Sequence, residues 1–104
     1  MQSIDFTITQ SSIDNGRLYF EAGHINFFPS DAVGGRGATE HAAGKIHIAA
    51  SGVEVETDIR QSSTIRISPR KSFKNWLNLV CAINGGTARL HRIAERYYTL
   101  EYIG

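Results

Sequence analysis

"TDIRQSSTIRISPRKSFKNW", Thr57 to Trp76, changes its period halfway along. Ile65 and Ile67 alternate with Thr64, Arg66 and Ser68, the two-residue repeat of a strand with one buried face. Beyond Pro69 the apolar residues move to helical spacing. Phe73, Trp76, Leu77, Val80 and Cys81 stand at i, i+3, i+4, i+7 and i+8. The spacing predicts an amphipathic helix over 72–84, with Ser72 as its N-cap and Asn84, Gly85 and Gly86 ending it. Phe73 and Trp76 then belong to the core, and Cys81 lies on the apolar face as a small hydrophobe. Lys74, Asn75 and Asn78 fall on the wet side.

Outside this helix the dominant period is two. Ile4, Phe6 and Ile8 alternate with Asp5, Thr7 and Thr9, and Leu18 and Phe20 with Arg17 and Tyr19. The same pattern returns at Ile46/Ile48, Val53/Val55/Thr57, Ala88/Leu90 and Tyr98/Leu100/Tyr102. Asn15-Gly16 and Ser51-Gly52 are turn signals between such runs. Seven or eight short strands in one small domain, residues 1–104, predict a mainly β barrel or sandwich. A short helical turn is expected near 30–34. The Gly/Ala-rich stretch 34–44 reads as a mobile loop.

A chain of 104 residues with 41% hydrophobic content suits one globular domain. A single cysteine excludes an internal disulfide and a cysteine-rich zinc site. The start, "MQSIDFTITQ", has no basic segment followed by an apolar run, and no stretch approaches the roughly 20 apolar residues of a membrane span. An intracellular, cytoplasmic protein without a membrane partner is expected.

Net charge is only +1, but it is unevenly spread. Residues 59–94 contain no acid and seven cations: Arg60, Arg66, Arg70, Lys71, Lys74, Arg89 and Arg92. Such asymmetry is a sign of nucleic-acid contact, set against an ordinary solvated basic face.

The usual chemical motifs are missing. "GGRG" lacks the Gly-Lys-Ser/Thr ending of a P-loop and fits no dinucleotide fingerprint. The adjacent pair Glu40-His41 does not converge on one substrate atom as an acid and a base would have to. His24, His41, His47 and His91 are scattered rather than paired at metal-ligand spacing. No catalytic group, metal or cofactor is expected.

The quoted stretch offers a different chemistry. Arg60, Gln61, Ser62 and Ser63 are expected at an exposed tip between two strands, followed by Thr64 and Arg66. Arg and Gln make bidentate contacts with guanine and adenine edges in the major groove, and Ser and Thr hydroxyls hold phosphates. Arg70, Lys71 and Lys74 follow at the mouth of the helix, whose backbone N–H groups favour an anion. The unit reads as a base-reading tip backed by a phosphate clamp. The bland alternative is a polar hairpin.

The order of elements resembles the DNA-binding pseudobarrel of the plant B-three transcription factors and the related recognition domains of restriction endonucleases. The matching pieces are "FTITQSSIDNGRLYF", "INFFP" as a strand ending in an apolar-Pro pair, "KIHIAASGVEVETDI" and "RQSSTIRIS". "SFKNWLNLV", "GGTARLHRI" and "RYYTLEYI" complete the order. The resemblance implies an open pseudobarrel that grips the major groove of double-stranded DNA with two arms, without chemistry of its own. The first arm would be Gln10, Ser11, Ser12, Asp14, Asn15 and Arg17. The second would be Arg60, Gln61, Ser62, Ser63, Thr64 and Arg66. The rival expectation is a protein-interaction or oligomeric accessory barrel with no nucleic acid.

Overall fold

The alternating runs assemble into two sheets. The computed structural model describes residues 2–35, 42–62 and 64–104. Among them the strands are β1 (Gln2–Thr7), β2 (Leu18–Phe20), β3 (Val33–Gly34), β4 (Ile46–Ala50), β5 (Val53–Thr57), β6 (Ile59–Gln61), β7 (Ile65–Ile67), β8 (Thr87–Ala94) and β9 (Tyr97–Tyr102). Two α-helices, α1 (Gln10–Asn15) and α2 (Lys71–Leu79), and two 3-10 turns, Ala22–Phe27 and Ser30–Ala32, complete the fold. The second turn is the helical turn expected near 30–34.

The larger sheet has the order β1-β8-β9-β4-β5 and the smaller β2-β7-β6-β3. Most neighbours are antiparallel; β4 with β9 and β3 with β6 are parallel. The sheets do not close into a barrel, and no ladder joins β1 to β2 among the described residues. Ser51 and Gly52, both at positive φ, form the tight turn between β4 and β5, where the sequence signals it.

Three consecutive buried residues make the passage between sheets. Thr57, Asp58 and Ile59 are 0%, 8% and 0% exposed, which no flat alternating strand allows. The chain from 53 to 61 is therefore divided between β5 and β6, turning from the first sheet into the second at Asp58. This also corrects the position of the tip. Arg60 and Gln61 belong to β6 rather than to a loop.

One core serves both sheets. Its aromatic centre runs from Phe6 to Phe20 (ring centroids 4.7 Å apart), on to Phe28 (5.5 Å) and then to Tyr98 (5.6 Å). The Tyr98 hydroxyl donates to the Phe27 carbonyl at 2.8 Å, which satisfies its polar end. Burial pushes the Tyr98 pKa upward. "INFFP" supplies this anchor as a 3-10 turn and not as a strand. Phe27 and Phe28 both pack on Tyr98 and on each other, and Phe28 also reaches Phe20; the turn permits this, whereas successive residues of a strand point to opposite faces.

Helix α2 buries Phe73, Trp76 and Leu77, at 1%, 3% and 1% exposure, in line with the periodicity. Its limits differ from the expected 72–84. Arg70 is the N-cap, without a side-chain cap bond, and Ser72 lies inside the first turn. At the other end, Ala82 N–H bonds the Leu77 carbonyl (2.9 Å) and Cys81 N–H the Asn78 carbonyl (3.1 Å). That pair is a Schellman stop. It places Cys81 at φ 56 and exposes it, so Cys81 is off the apolar face. The apolar period continues past the point where the backbone unwinds, and period alone does not register the stop.

Candidate nucleic-acid interface

The two arms lie side by side. β2 follows the first and β7 the second, and they pair antiparallel with Tyr19 opposite Arg66 and Leu18 opposite Ile67. β6 continues the row with Arg60 opposite Arg66. Leu18, Phe20, Ile65 and Ile67 are buried on the inner face. Tyr19, Arg66 and Arg60 therefore share the outer face, since cross-strand partners point the same way.

The first arm is a helix. Thr9 caps α1 by accepting from Ser12 N–H at 3.1 Å, and Gly16 ends it at φ 71, its N–H on the Ser12 carbonyl at 2.7 Å. The Ser/Asn/Asp content and the Asn15-Gly16 pair look like a turn. The same residue types also cap helices. Ser12 is buried at 1% and shares a 3.0 Å hydrogen bond with Thr9, so its hydroxyl faces the protein. Gln10, Asp14 and Asn15 are exposed, with Gln10 donating to Asp14 at 3.0 Å.

α1 docks on the start of α2. A Cβ on Gly16 would stand 2.1 Å from the Arg70 carbonyl oxygen and 2.8 Å from Lys74 N. Arg70 N–H donates to the Gly16 carbonyl at 3.2 Å. The first arm, the β7–α2 junction and Lys74 are thereby fixed together. Arg70 turns inward, its guanidinium donating to the buried Thr57 hydroxyl at 3.0 Å. Lys71 and Lys74 are exposed.

Each remaining residue of the second arm has a definite place. Arg60 lies 3.2 Å from the Asp58 carboxylate, with both side chains only 12% exposed, and also donates to the Gly35 carbonyl at 3.3 Å. Asp58 further accepts from Ala42 N–H at 3.4 Å. Arg66 donates to the Ser62 hydroxyl at 2.9 Å. Gln61 and Thr64 are exposed. Ser63, like the loop centre 36–41 with Glu40 and His41, lies outside the described residues.

Tyr19 is a functional candidate that the sequence does not announce. Its hydroxyl shares a 3.1 Å hydrogen bond with Ser11 and receives a longer one, 3.4 Å, from Arg17. The Ser11 hydrogen bond, together with Arg17 and Arg66, holds its pKa below the ordinary 10.0 despite partial burial. As an outward strand position Tyr19 carries no signal. Only the pairing with β7 places it among arginines.

Carboxylate contacts are spread unevenly over the cations. On the larger sheet Arg89 pairs with Asp5 (2.7 Å); His91 Nε2 lies 2.8 Å from Glu101, and His47 lies between Glu54 and Glu56 at 3.4 and 3.6 Å, contacts that are ion pairs only when the imidazole carries a proton. The Arg89 hydrogen bond keeps the Asp5 carboxyl below its usual pKa. Arg96 pairs with Asp31 at 2.6 Å. In contrast Arg17, Arg66, Arg70, Lys71 and Lys74 have no carboxylate partner among the described residues, and all five belong to the α1–β2–β7–α2 side. Elsewhere among the described residues only Lys45 and Arg92 lack one. Among the described residues no group of His, Cys, Asp or Glu could hold a metal ion, and no helix is long and apolar enough to cross a membrane.

No family model matches the chain, and neither does any curated protein. Solved structures share the fold, two of them over nearly the whole chain. The N-terminal domain of Helicobacter pylori LlaJI.R1 superposes with a TM-score of 0.65 at 14% identity, covering 100% of this chain and 88% of that one. The hypothetical Arabidopsis thaliana protein At1g16640.1 superposes with a TM-score of 0.59 at 8% identity, covering 99% and 90%. At these identities the likeness is one of fold: a bacterial and a plant chain share with this one the same open two-sheet architecture over nearly its whole length.

Proposed function

We propose that this chain binds double-stranded DNA through the outer face of its smaller sheet and the adjoining helix ends, with no chemistry of its own. The observation that carries the reading is the group of four cations on that side, Arg17, Arg66, Lys71 and Lys74, that have no carboxylate partner among the described residues, against the Arg89–Asp5 and Arg96–Asp31 pairs elsewhere. Unpaired cations on one face are what counterion release from a duplex requires. The sequence resemblance to the B-three and restriction-endonuclease recognition domains supports the same reading. So does the fold it shares with the two solved structures.

Roles divide by geometry. Arg17, Arg66, Lys71 and Lys74 neutralise phosphates. Ser11, Ser62 and Tyr19 donate hydroxyls beside them. Gln10, Asn15, Gln61 and Thr64, exposed on the two arms, reach for base edges. Ser12 and Arg70 serve by holding the arms in place. Arg60, backed by Asp58, is presented in a fixed orientation on the same face and reads from there. Such a protein works inside the cell, as a small regulator or as the specificity module of a restriction-modification system.

Selection of bound sequences from a random duplex pool tests this. Enrichment of a short common sequence, in a complex that weakens with added salt, is expected. A pool that emerges unenriched and without any salt-sensitive complex would leave the accessory-barrel reading in its place.

A further inference from the structure

The seam where the two sheets fail to join is an open cleft of about 560 Å³, within the range of roughly 300–1,000 Å³ that small ligands occupy. Resting on the DNA-binding reading above, we infer that this cleft receives one nucleobase extruded from the duplex, of the kind that carries an exocyclic amine.

Four observations converge on it. The cleft opens beside the proposed interface, because Tyr19 and Thr64 line both. Phe6 and Phe20, packed on each other at 4.7 Å and only 5% and 3% exposed, close its inner side as an apolar floor. Its rim is rich in unused polar groups. Thr7, Thr64, Thr87 and Glu21 are among its lining residues, and their side chains have no hydrogen-bond partner among the described residues. The backbone adds more, for among the described residues β1 pairs only with β8 and β2 only with β7. Their facing edges keep N–H and C=O groups without ladder partners, the groups that a base edge can satisfy.

The charges select among ligands. Among the described residues no cationic side chain lines the cleft, and the Asp5 carboxylate is engaged by Arg89 while the Glu21 carboxylate has no partner. A phosphate is repelled there. An amino group on a planar ring finds an acceptor in Glu21, while thymine, which offers carbonyl oxygens in its place, does not. Extrusion costs unstacking and unpairing, and costs least where the base is already unpaired.

Fluorescence anisotropy with duplexes of about 20 base pairs, each with one central adenine, cytosine or thymine opposite an abasic site, reads this out. Unpaired adenine and cytosine should bind about tenfold tighter than the fully paired duplex, and unpaired thymine should not. Glu21→Gln should reduce the preference for the amino bases severalfold, and Thr87→Val should weaken it, each leaving affinity for the fully paired duplex within about twofold. Equal binding of all three unpaired bases, or a preference that neither variant alters, would overturn the inference while leaving DNA binding intact. Failure to bind any duplex would overturn the DNA reading and this inference with it.

Discussion

Single residues show where pattern and backbone part company. Cys81 continues the apolar period of α2 but sits at φ 56 as the left-handed residue of a Schellman stop, a conformation costing a non-glycine residue about 1–2 kcal/mol. Cys81→Gly should therefore be neutral or stabilise the fold by up to about 1 kcal/mol in urea denaturation. A loss of similar size would return Cys81 to the apolar face. Tyr19 is the opposite case, a residue given no role by its position in the sequence and much by its neighbours. Its phenol, with a pKa held below 10.0 chiefly by Ser11, with help from Arg17 and Arg66, titrates before an ordinary tyrosine. The sign for binding follows. Phosphates near Tyr19 favour the neutral phenol, so duplex affinity should fall as pH rises through the Tyr19 pKa of the unbound protein. The fall should be smaller in Tyr19→Phe. Identical alkaline profiles for the two proteins would remove Tyr19 from the interface.

At the scale of elements, the strands with one wet face are legible in the sequence and the junctions are not. Alternation marks β1, β2, β4, β5, β7, β8 and β9 because burial on one side imposes it. β6 is hidden by the turn at Asp58, where successive residues are all buried, and β3 is too short to carry a period. α1 is hidden for a different reason: a six-residue helix has too few turns to show a stripe, and its Thr9 cap and Gly16 end resemble a turn. Of the proposed site, the charge in the second arm can be read directly. The inward course of Arg70 and the backing of Arg60 by Asp58 depend on packing between elements distant in sequence. The α1–α2 junction is the element on which the arms depend. Gly16→Ala forces a Cβ into the Arg70 carbonyl at a positive φ, so stability should fall by about 3 kcal/mol, overpacking and backbone strain together. Chemical denaturation measures this, and a loss below about 1 kcal/mol would mean that α1 is not seated on α2.

For the whole molecule, the asymmetry of charge is the feature that composition hides. Ten acids and eleven Lys/Arg residues nearly cancel, yet the α1–β2–β7–α2 side keeps cations with no carboxylate partner among the described residues, while Arg89 on the larger sheet is held by Asp5 and Arg96 beside it by Asp31. A net charge of +1 would predict weak and diffuse attraction to a polyanion. One face of unneutralised cations predicts attachment in one orientation. The salt dependence of duplex affinity, compared between the unaltered protein and the triple variant Arg17→Ala, Arg66→Ala, Lys74→Ala, tests this most directly. DNA binding through this face predicts a linear fall of log affinity with log salt. In the triple variant the slope should be shallower by about 0.9 for every phosphate left unneutralised, close to three in all. The same slope in both proteins, or no dependence on salt in either, would contradict it.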